Sequence, residues 1–262
     1  MTDADIEATK APLLDHLIEL RSRLIKALVA FLVMFVIAFF FAKDIYNVLL
    51  EPYQRVAGPE ATLIYTAPQE YFFTQIRVAL FTAAFLSCPI VFSQLYAFVA
   101  PGLYKHERRA FAPYLLATPI FFAFGAIIVF FIVMPNLLHF FIGMQQAKEP
   151  GRAQIELLPR VSEYLSLIMT LIFAFGVTFQ LPVVITLLGQ VGIVDQAFLR
   201  DKRRYAIVLV FIISAILTPP DIFSMLALAA PALLLYELSI LAVGVIQKRQ
   251  VAERAAGETP GS

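Results

Sequence analysis

Three long stretches of this sequence contain no Lys, Arg, Asp or Glu. They cover residues 78–104, 110–147 and 164–194, and they are 27, 38 and 31 residues long. Roughly 20 apolar residues in an α-helix cross a hydrocarbon core about 30 Å thick, so each stretch can span a bilayer. Backbone polar groups in lipid must be hydrogen-bonded within the protein, which favours helices. The sequence therefore predicts a polytopic helical membrane protein.

The composition supports a membrane location. Hydrophobic residues make up 60% of the chain and charged residues 15%, with a mean hydropathy of +0.81; soluble domains are nearer ~45–50% apolar and ~25% charged. This excludes a disordered chain, a disulfide scaffold and an ordinary soluble enzyme. The net charge of +1 gives no indication of a nucleic-acid partner. The first apolar run, residues 27–42, lacks a small-residue cleavage site and is predicted to be a retained span.

We predict one membrane domain, residues 1–246, with six spans and a disordered cytoplasmic tail at residues 247–262. The predicted spans are residues 24–42, 72–98, 113–135, 164–189, 205–218 and 222–244. With the N-terminus in the cytoplasm, the cytoplasmic segments carry 14 Lys and Arg residues and the outer segments carry 5. Lys and Arg accumulate on the cytoplasmic side. The predicted fold class is thus an all-α integral membrane protein with six transmembrane helices and both termini cytoplasmic.

The predicted connections and the fifth span have unusual lengths. As a helix, residues 205–218 would be about 21 Å long, roughly a third short of the hydrocarbon core. The sixth span follows almost at once, so we expect the bilayer around this hairpin to be thinned from the outer side. The outer connections, residues 43–71 and 136–163, are long for loops without structure of their own. We therefore expect short helices in them.

Two polar side chains fall within predicted spans. Gln180 lies two residues before Pro182. It either satisfies a backbone carbonyl freed by the proline kink or faces a cavity and binds a ligand. Glu237 should lie level with the start of the fifth span, close to Arg203 and Arg204. There it is either an interfacial carboxylate paired with Arg or an intramembrane functional group.

Signatures of catalysis are missing from the sequence. It contains no H-E-x-x-H, no G-x-S-x-G and no Gly-rich phosphate loop. We therefore expect neither an enzyme nor a bound metal or cofactor.

Two predicted cytoplasmic segments each place a carboxylate among cations. In H-L-I-E-L-R-S-R, residues 16–23, helical spacing pairs Glu19 with Arg23. In F-V-A-P-G-L-Y-K-H-E-R-R, residues 98–109, Glu107 falls in the first turn after a Pro-Gly break. Either carboxylate alone is most simply a solvated flanking residue. Together they predict a cationic ligand, because a carboxylate holds a planar guanidinium in a bidentate geometry that an ammonium cannot reproduce.

These two segments, together with L-T-P-P-D at residues 217–221, resemble the TatC family. TatC is the core receptor subunit of the twin-arginine protein translocase. The resemblance covers about residues 12–246, and its motifs are long and specific. It implies a concave cup of six helices in the bacterial inner membrane. It also implies a receptor that binds twin-arginine signal peptides at the cytoplasmic face, while the proton-motive force drives export of the folded cargo.

The resemblance also implies partners and site residues. The partners are signal peptides of folded cargo, single-span TatB-like and TatA-like subunits and the lipid bilayer, in a hetero-oligomer with several copies and no nucleic acid. The implied signal-peptide-binding residues are Glu19, Arg21, Phe98 and Glu107. Other characteristic positions are Pro52, Pro219, Pro220, Asp221 and Glu237.

One position departs from the family pattern. Many members carry Glu where this chain has Gln180, in F-Q-L-P at residues 179–182. Gln keeps the hydrogen-bonding capacity but cannot ionise, so we infer that the position requires polarity and not charge. Two other classes of protein stay open on the residues alone: a secondary transporter for a small solute and a scaffold subunit of a different complex.

Overall fold

The computed structural model describes residues 3–58, 61–99, 112–146, 153, 155–218 and 221–257. The chain divides into two compact units. The first contains residues 1–43 and 75–119, and the second contains residues 44–74 and 120–262. The described residues form helices and the loops between them, with two isolated β-bridges. The all-helical fold class is thus confirmed.

Ten α-helices and one π-helical turn account for most of the described chain. In order they are α1 (Asp3–Phe40), α2 (Ala42–Ala57), α3 (Glu70–Val99), α4 (Ala112–Ile128), the π turn (Val129–Val133), α5 (Met134–Gly143), α6 (Val161–Thr178), α7 (Leu181–Gln190), α8 (Gln196–Asp201), α9 (Arg203–Leu217) and α10 (Ile222–Gly257). The α2 helix lies in the first predicted outer connection, as expected for a long loop. Residues 247–257, predicted to be disordered tail, are helical because α10 continues to Gly257.

Among the described residues, five helical segments are long and apolar enough to cross a membrane: His16–Phe40, Glu70–Leu95, Tyr114–Gly143, Val161–Gln190 and Ile222–Gln250. The α9 helix is also apolar but has only 15 residues, which corresponds to about 22 Å. It overlaps the predicted fifth span, residues 205–218, which stays a prediction.

Prolines bend two of these segments. Pro135 has no N–H to continue the regular ladder, and just before it the Met134 N–H bonds to the Val129 carbonyl five residues back. The helix therefore passes through a π turn and continues to Gly143, beyond the predicted span end at residue 135. Near Pro182 the change is the opposite: the Gln180 N–H bonds to the Val177 carbonyl only three residues back, and two turn residues separate α6 from α7.

The second unit has its core around α10, which packs along α7, α8 and α9. Leu199 of α8 lies with Tyr236, Ile240 and Val243 of α10 in one buried cluster. Close packing depends on Gly189 of α7, because a Cβ there would lie 2.8 Å from a Val243 methyl group. Burial of this cluster holds α8 against α10, and a second buried cluster, Val210 with Ala229 and Ala232, holds α9 against α10.

Glu70 joins distant parts of the second unit. Ile64 and Arg160 form a parallel β-bridge, in which the Val161 N–H donates to the Ile64 carbonyl at 2.9 Å. The Ser162 hydroxyl donates to Glu70 Oε1 at 2.6 Å, and the Thr66 N–H donates to Glu70 Oε2 at 2.9 Å. We call this arrangement of the β-bridge and the carboxylate the Glu70 junction.

Tyrosines hold α2 close to the same region. The Tyr164 hydroxyl donates to the Leu49 carbonyl at 3.0 Å, and the Tyr53 hydroxyl donates to the Thr62 carbonyl at 3.4 Å. Burial, and to a smaller extent the negative charge of Glu156, raise the pKa of Tyr53. The hydroxyl therefore stays protonated and able to donate.

Candidate functional site

The predicted ion pair on α1 is present. Arg23 donates to Glu19 from Nη2 at 2.5 Å and from Nε at 2.9 Å, and the two residues are four apart on the helix. Both donors go to Oε1, so Oε2 takes no part in this pair. About a third of the Glu19 side chain is exposed. Glu19 can thus accept another donor from solvent without first losing Arg23.

An aromatic contact connects the end of α3 to this part of α1. The rings of Phe98 and His16 are stacked, with centroids 4.2 Å apart and planes at 23°. His16 lies three residues before Glu19, and residues at this spacing share one face of a helix. The structure thereby brings Phe98 and Glu19, which are 79 positions apart, to one end of the first unit. We call His16, Glu19, Arg23 and Phe98 the Glu19 cluster.

Sequence reasoning missed His16 as part of this site. The spacing of three residues from Glu19 could have indicated that His16 lies on the same face of the helix. Its stacking partner, Phe98, comes from a distant segment and is decided by tertiary contact. Arg21 is exposed on α1 beside the cluster. Glu107, the second predicted carboxylate, lies outside the described residues.

Gln180 lies at the break between α6 and α7 and is 6% exposed. Its backbone N–H bonds to Val177 at three residues' distance instead of to Gly176 at four. The Gly176 carbonyl, released by this change, receives the Gln180 side-chain Nε2 at 3.4 Å. The amide therefore satisfies a carbonyl at the proline kink, as the first of the two interpretations predicts.

Glu237 makes the predicted contact with arginine. Its Oε2 lies 2.5 Å from Arg203 Nη2, and both side chains are 48% exposed. The pair joins α10 to the first turn of α9. Its exposure limits its contribution to stability to less than about 1 kcal/mol.

Two of the motif prolines lie outside the described residues: Pro219 and Pro220. Asp221, the next residue, caps α10, since its Oδ1 accepts from the Ser224 N–H at 2.7 Å. A carboxylate here satisfies a free N–H and faces the positive end of the helix. Pro52 is buried within α2.

The fold defines a multi-pass helical membrane protein, and its first unit carries the Glu19 cluster on α1 and α3. A family model described as "Sec-independent protein translocase protein (TatC)" matches residues 15–231. The chain belongs to the TatC family.

Relatives and solved structures agree with this assignment. The Sec-independent protein translocase protein TatC of Magnetococcus marinus is 45% identical, over 97% of this chain and 91% of that protein. The TatC of Rickettsia prowazekii is 44% identical, over 89% of this chain and 92% of that protein. A crystal structure of the twin-arginine translocase receptor TatC superposes with a TM-score of 0.76 at 37% identity, covering 88% of this chain and 99% of that one.

Membership of the TatC family establishes the class of this protein and its location in the cell. The chain is a membrane-embedded subunit of a protein translocase, not an enzyme, and it resides in the bacterial inner membrane. The resemblance inferred from the three sequence motifs is confirmed.

Proposed function

We propose that this chain is the receptor and core subunit of a twin-arginine translocase. It binds the twin-arginine signal peptides of folded cargo at the cytoplasmic face and has six spans with both termini in the cytoplasm. The observation that carries the proposal is the Glu19 cluster, where a carboxylate that is about a third exposed keeps one oxygen out of its ion pair with Arg23. The bias of cations toward the predicted cytoplasmic segments supports the orientation.

The chemistry of a guanidinium fits this carboxylate. A planar guanidinium can donate to a carboxylate through two parallel bonds, whereas an ammonium acts as a point charge. One charge-assisted bond contributes about 1.5–3 kcal/mol when desolvated and less than about 1 kcal/mol when exposed. Discrimination of arginine from lysine therefore requires two carboxylates, and we assign the second to Glu107. We also assign Phe98 and Arg21 to the signal-peptide site: Phe98 stacks on His16, three residues before Glu19, and Arg21 follows Glu19 by two residues on α1.

The apolar segment of the signal peptide would then lie against the transmembrane helices. Export itself is driven by the proton-motive force after the partner subunits join. Since Gln180 cannot ionise, we assign it a polar structural role at the α6–α7 break and no proton transfer. Gln180→Leu should lower export of a folded reporter in cells, while Gln180→Glu should retain it. Export by Gln180→Leu equal to that of the unaltered chain would contradict this assignment.

Single-span TatB-like and TatA-like subunits would pack on α9, in a complex with several copies of each chain. One face of α9 carries the exposed apolar residues Val208, Ile212 and Ile216, which are 58%, 51% and 76% exposed. Their spacing of four residues forms the continuous stripe that a neighbouring apolar helix needs.

The direct test is binding of a fluorescent signal peptide to the purified chain in detergent, comparing Arg-Arg with Lys-Lys in an otherwise identical peptide. We expect strong loss of binding with Lys-Lys, and weaker Arg-Arg binding in Glu19→Ala and Glu107→Ala. Glu163→Gln is the matched control, because this glutamate is 68% exposed and pairs with Arg160 at the start of α6 in the second unit.

Other outcomes would identify the rival classes. Equal binding of both peptides, unaffected by either glutamate variant, would contradict the proposed receptor site and favour a scaffold subunit. Solute transport by the purified chain alone in liposomes would favour a secondary transporter.

A further inference from the structure

An apolar groove runs along α9 in the second unit. It has a volume of about 280 Å³ and is lined by residues of α6, α7, α9 and α10. Along α9 it extends from Ala206 to Leu217, which is about 16 Å at 1.5 Å per residue. This length is close to half of a hydrocarbon core roughly 30 Å thick, the depth of one leaflet.

Most of the lining is apolar, and two of its polar groups have internal partners. The Tyr236 hydroxyl donates to the Leu199 carbonyl at 2.8 Å. The Ser214 backbone carbonyl accepts from the Thr218 hydroxyl at 2.8 Å. The groove is therefore suited to an apolar chain.

Cations are concentrated where the groove begins. Residues 200–204 include four of them, and Ala206, the first groove residue of α9, follows at once. Arg203 is paired with Glu237, and Lys202 lies 3.1 Å from Asp201. Within the described part of the chain, Arg204 has no carboxylate within 4 Å; its guanidinium lies over the Tyr205 ring at 4.8 Å and donates to the Tyr205 hydroxyl at 3.1 Å.

Positive charge is in excess at the start of α9. Lys202 is the N-cap of α9, Arg203 and Arg204 open its first turn, and that turn contains no acidic residue. Helix N-termini favour anions and disfavour cations. An anionic ligand at this point would offset both the side-chain charges and the helix dipole. Phe198, which is 50% exposed, provides an apolar contact beside the cations.

We propose that the groove holds one acyl chain of an anionic phospholipid, whose phosphate is bound by Lys202 and Arg204. A single file of methylene groups fits a groove of this volume, whereas a partner helix is about 10–12 Å across. Arginine and lysine recognise phosphate by charge-assisted bonds. This site belongs to the second unit, whereas the Glu19 cluster belongs to the first, and the proposal does not depend on signal-peptide binding. The lipid would fill the cleft between α6, α9 and α10, leaving the Val208–Ile216 stripe available to a subunit.

Lipid binding to the purified, detergent-solubilised chain tests the proposal, with native mass spectrometry as the readout. The probes are phosphatidylglycerol, phosphatidylcholine with the same acyl chains, and glycerol phosphate without chains. We expect phosphatidylglycerol to bind most tightly and glycerol phosphate not to compete. The double variant Lys202→Gln/Arg204→Gln should weaken phosphatidylglycerol roughly tenfold, as expected for two partly exposed charged contacts. It should weaken phosphatidylcholine less, because the choline cation offsets the attraction of that headgroup's phosphate to the two side chains. Lys248→Gln, another exposed cation of the second unit, is the control and should bind normally.

A second pair of variants tests the groove itself. Ala206→Leu adds bulk at its start and should weaken both lipids. Ala215→Leu adds the same bulk on an exposed part of α9 outside the groove and should not. Each variant is first checked for an unchanged thermal transition. If Ala206→Leu does not fold, the proposal is tested by the Lys202→Gln/Arg204→Gln variant alone.

Several results would overturn the proposal. Equal binding of phosphatidylglycerol and phosphatidylcholine would contradict a site that selects an anionic headgroup. Competition by glycerol phosphate as strong as by phosphatidylglycerol would indicate a plain phosphate site. If Ala206→Leu no longer bound a peptide of a single-span subunit but still bound phosphatidylglycerol, the groove would be assigned to a protein partner.

Discussion

Two glutamates, Glu19 and Glu70, use their carboxylates in different ways. In the Glu19 cluster, both bonds from Arg23 go to one oxygen, and the partner is four residues away on the same helix. In the Glu70 junction both oxygens are occupied, and one donor, Ser162, lies 92 residues away. A carboxylate whose two oxygens bond to different segments, one local (Thr66) and one distant (Ser162), stabilises the fold. One that keeps an oxygen outside a local pair can bind a ligand.

The comparison is tested most strongly by removing each carboxylate in turn. Glu19→Ala should weaken binding of an Arg-Arg signal peptide roughly fivefold, corresponding to about 1 kcal/mol for a partly exposed charged contact. Glu70→Ala should leave this affinity unchanged. Peptide fluorescence anisotropy on both variants measures the difference. A larger loss in Glu70→Ala than in Glu19→Ala would reverse the assigned roles.

Changing the Glu70 carboxylate should lower the local stability of the Glu70 junction. Glu70→Gln keeps the size of the side chain but replaces one acceptor oxygen with a donor, so it cannot accept from both Thr66 and Ser162. Hydrogen exchange should therefore become faster at the Thr66 and Val161 amides, measured by mass spectrometry. Glu51→Gln is the control, since its exposed pair with Arg55 is local to α2. Unchanged exchange in Glu70→Gln would show that the β-bridge holds without the carboxylate.

The smallest expected effect comes from removing Arg23, which competes with an incoming guanidinium for the Glu19 carboxylate. Arg23→Gln removes the cation that Glu19 now binds, so an incoming guanidinium no longer shares the carboxylate. Exposed pairs at this spacing contribute about 0.3–0.5 kcal/mol, so peptide affinity should rise roughly twofold. Titration of the Arg-Arg peptide measures it, with Lys26→Gln as the control for net charge. Weaker binding in Arg23→Gln would mean that Arg23 positions Glu19 for the ligand.

Much of this protein follows from local sequence. The charge-free stretches predicted the membrane helices, because lipid selects apolar residues over a fixed length. The Glu19–Arg23 pair followed from helical spacing. The position of Glu237 followed from counting residues along an antiparallel hairpin. Each of these depends on short distances along the chain, for which regular helix geometry is sufficient.

Other features depend on which segments meet in space. The stacking of His16 on Phe98, the contact of Glu70 with Ser162 and the groove along α9 join residues far apart in sequence. The extent of the helices also escaped prediction at two points. The π turn carries the helix past Pro135 to Gly143, and α10 continues to Gly257.

The class of protein, its family and its local ion pairs could all be predicted from the sequence. These depend on hydropathy, on motif identity and on residues less than two helical turns apart. The stacking of Phe98 on His16 and the bond from Ser162 to Glu70 required the folded chain. The reason is that hydrogen bonds depend on atomic distances of a few tenths of an ångström, and packing between helices sets those distances.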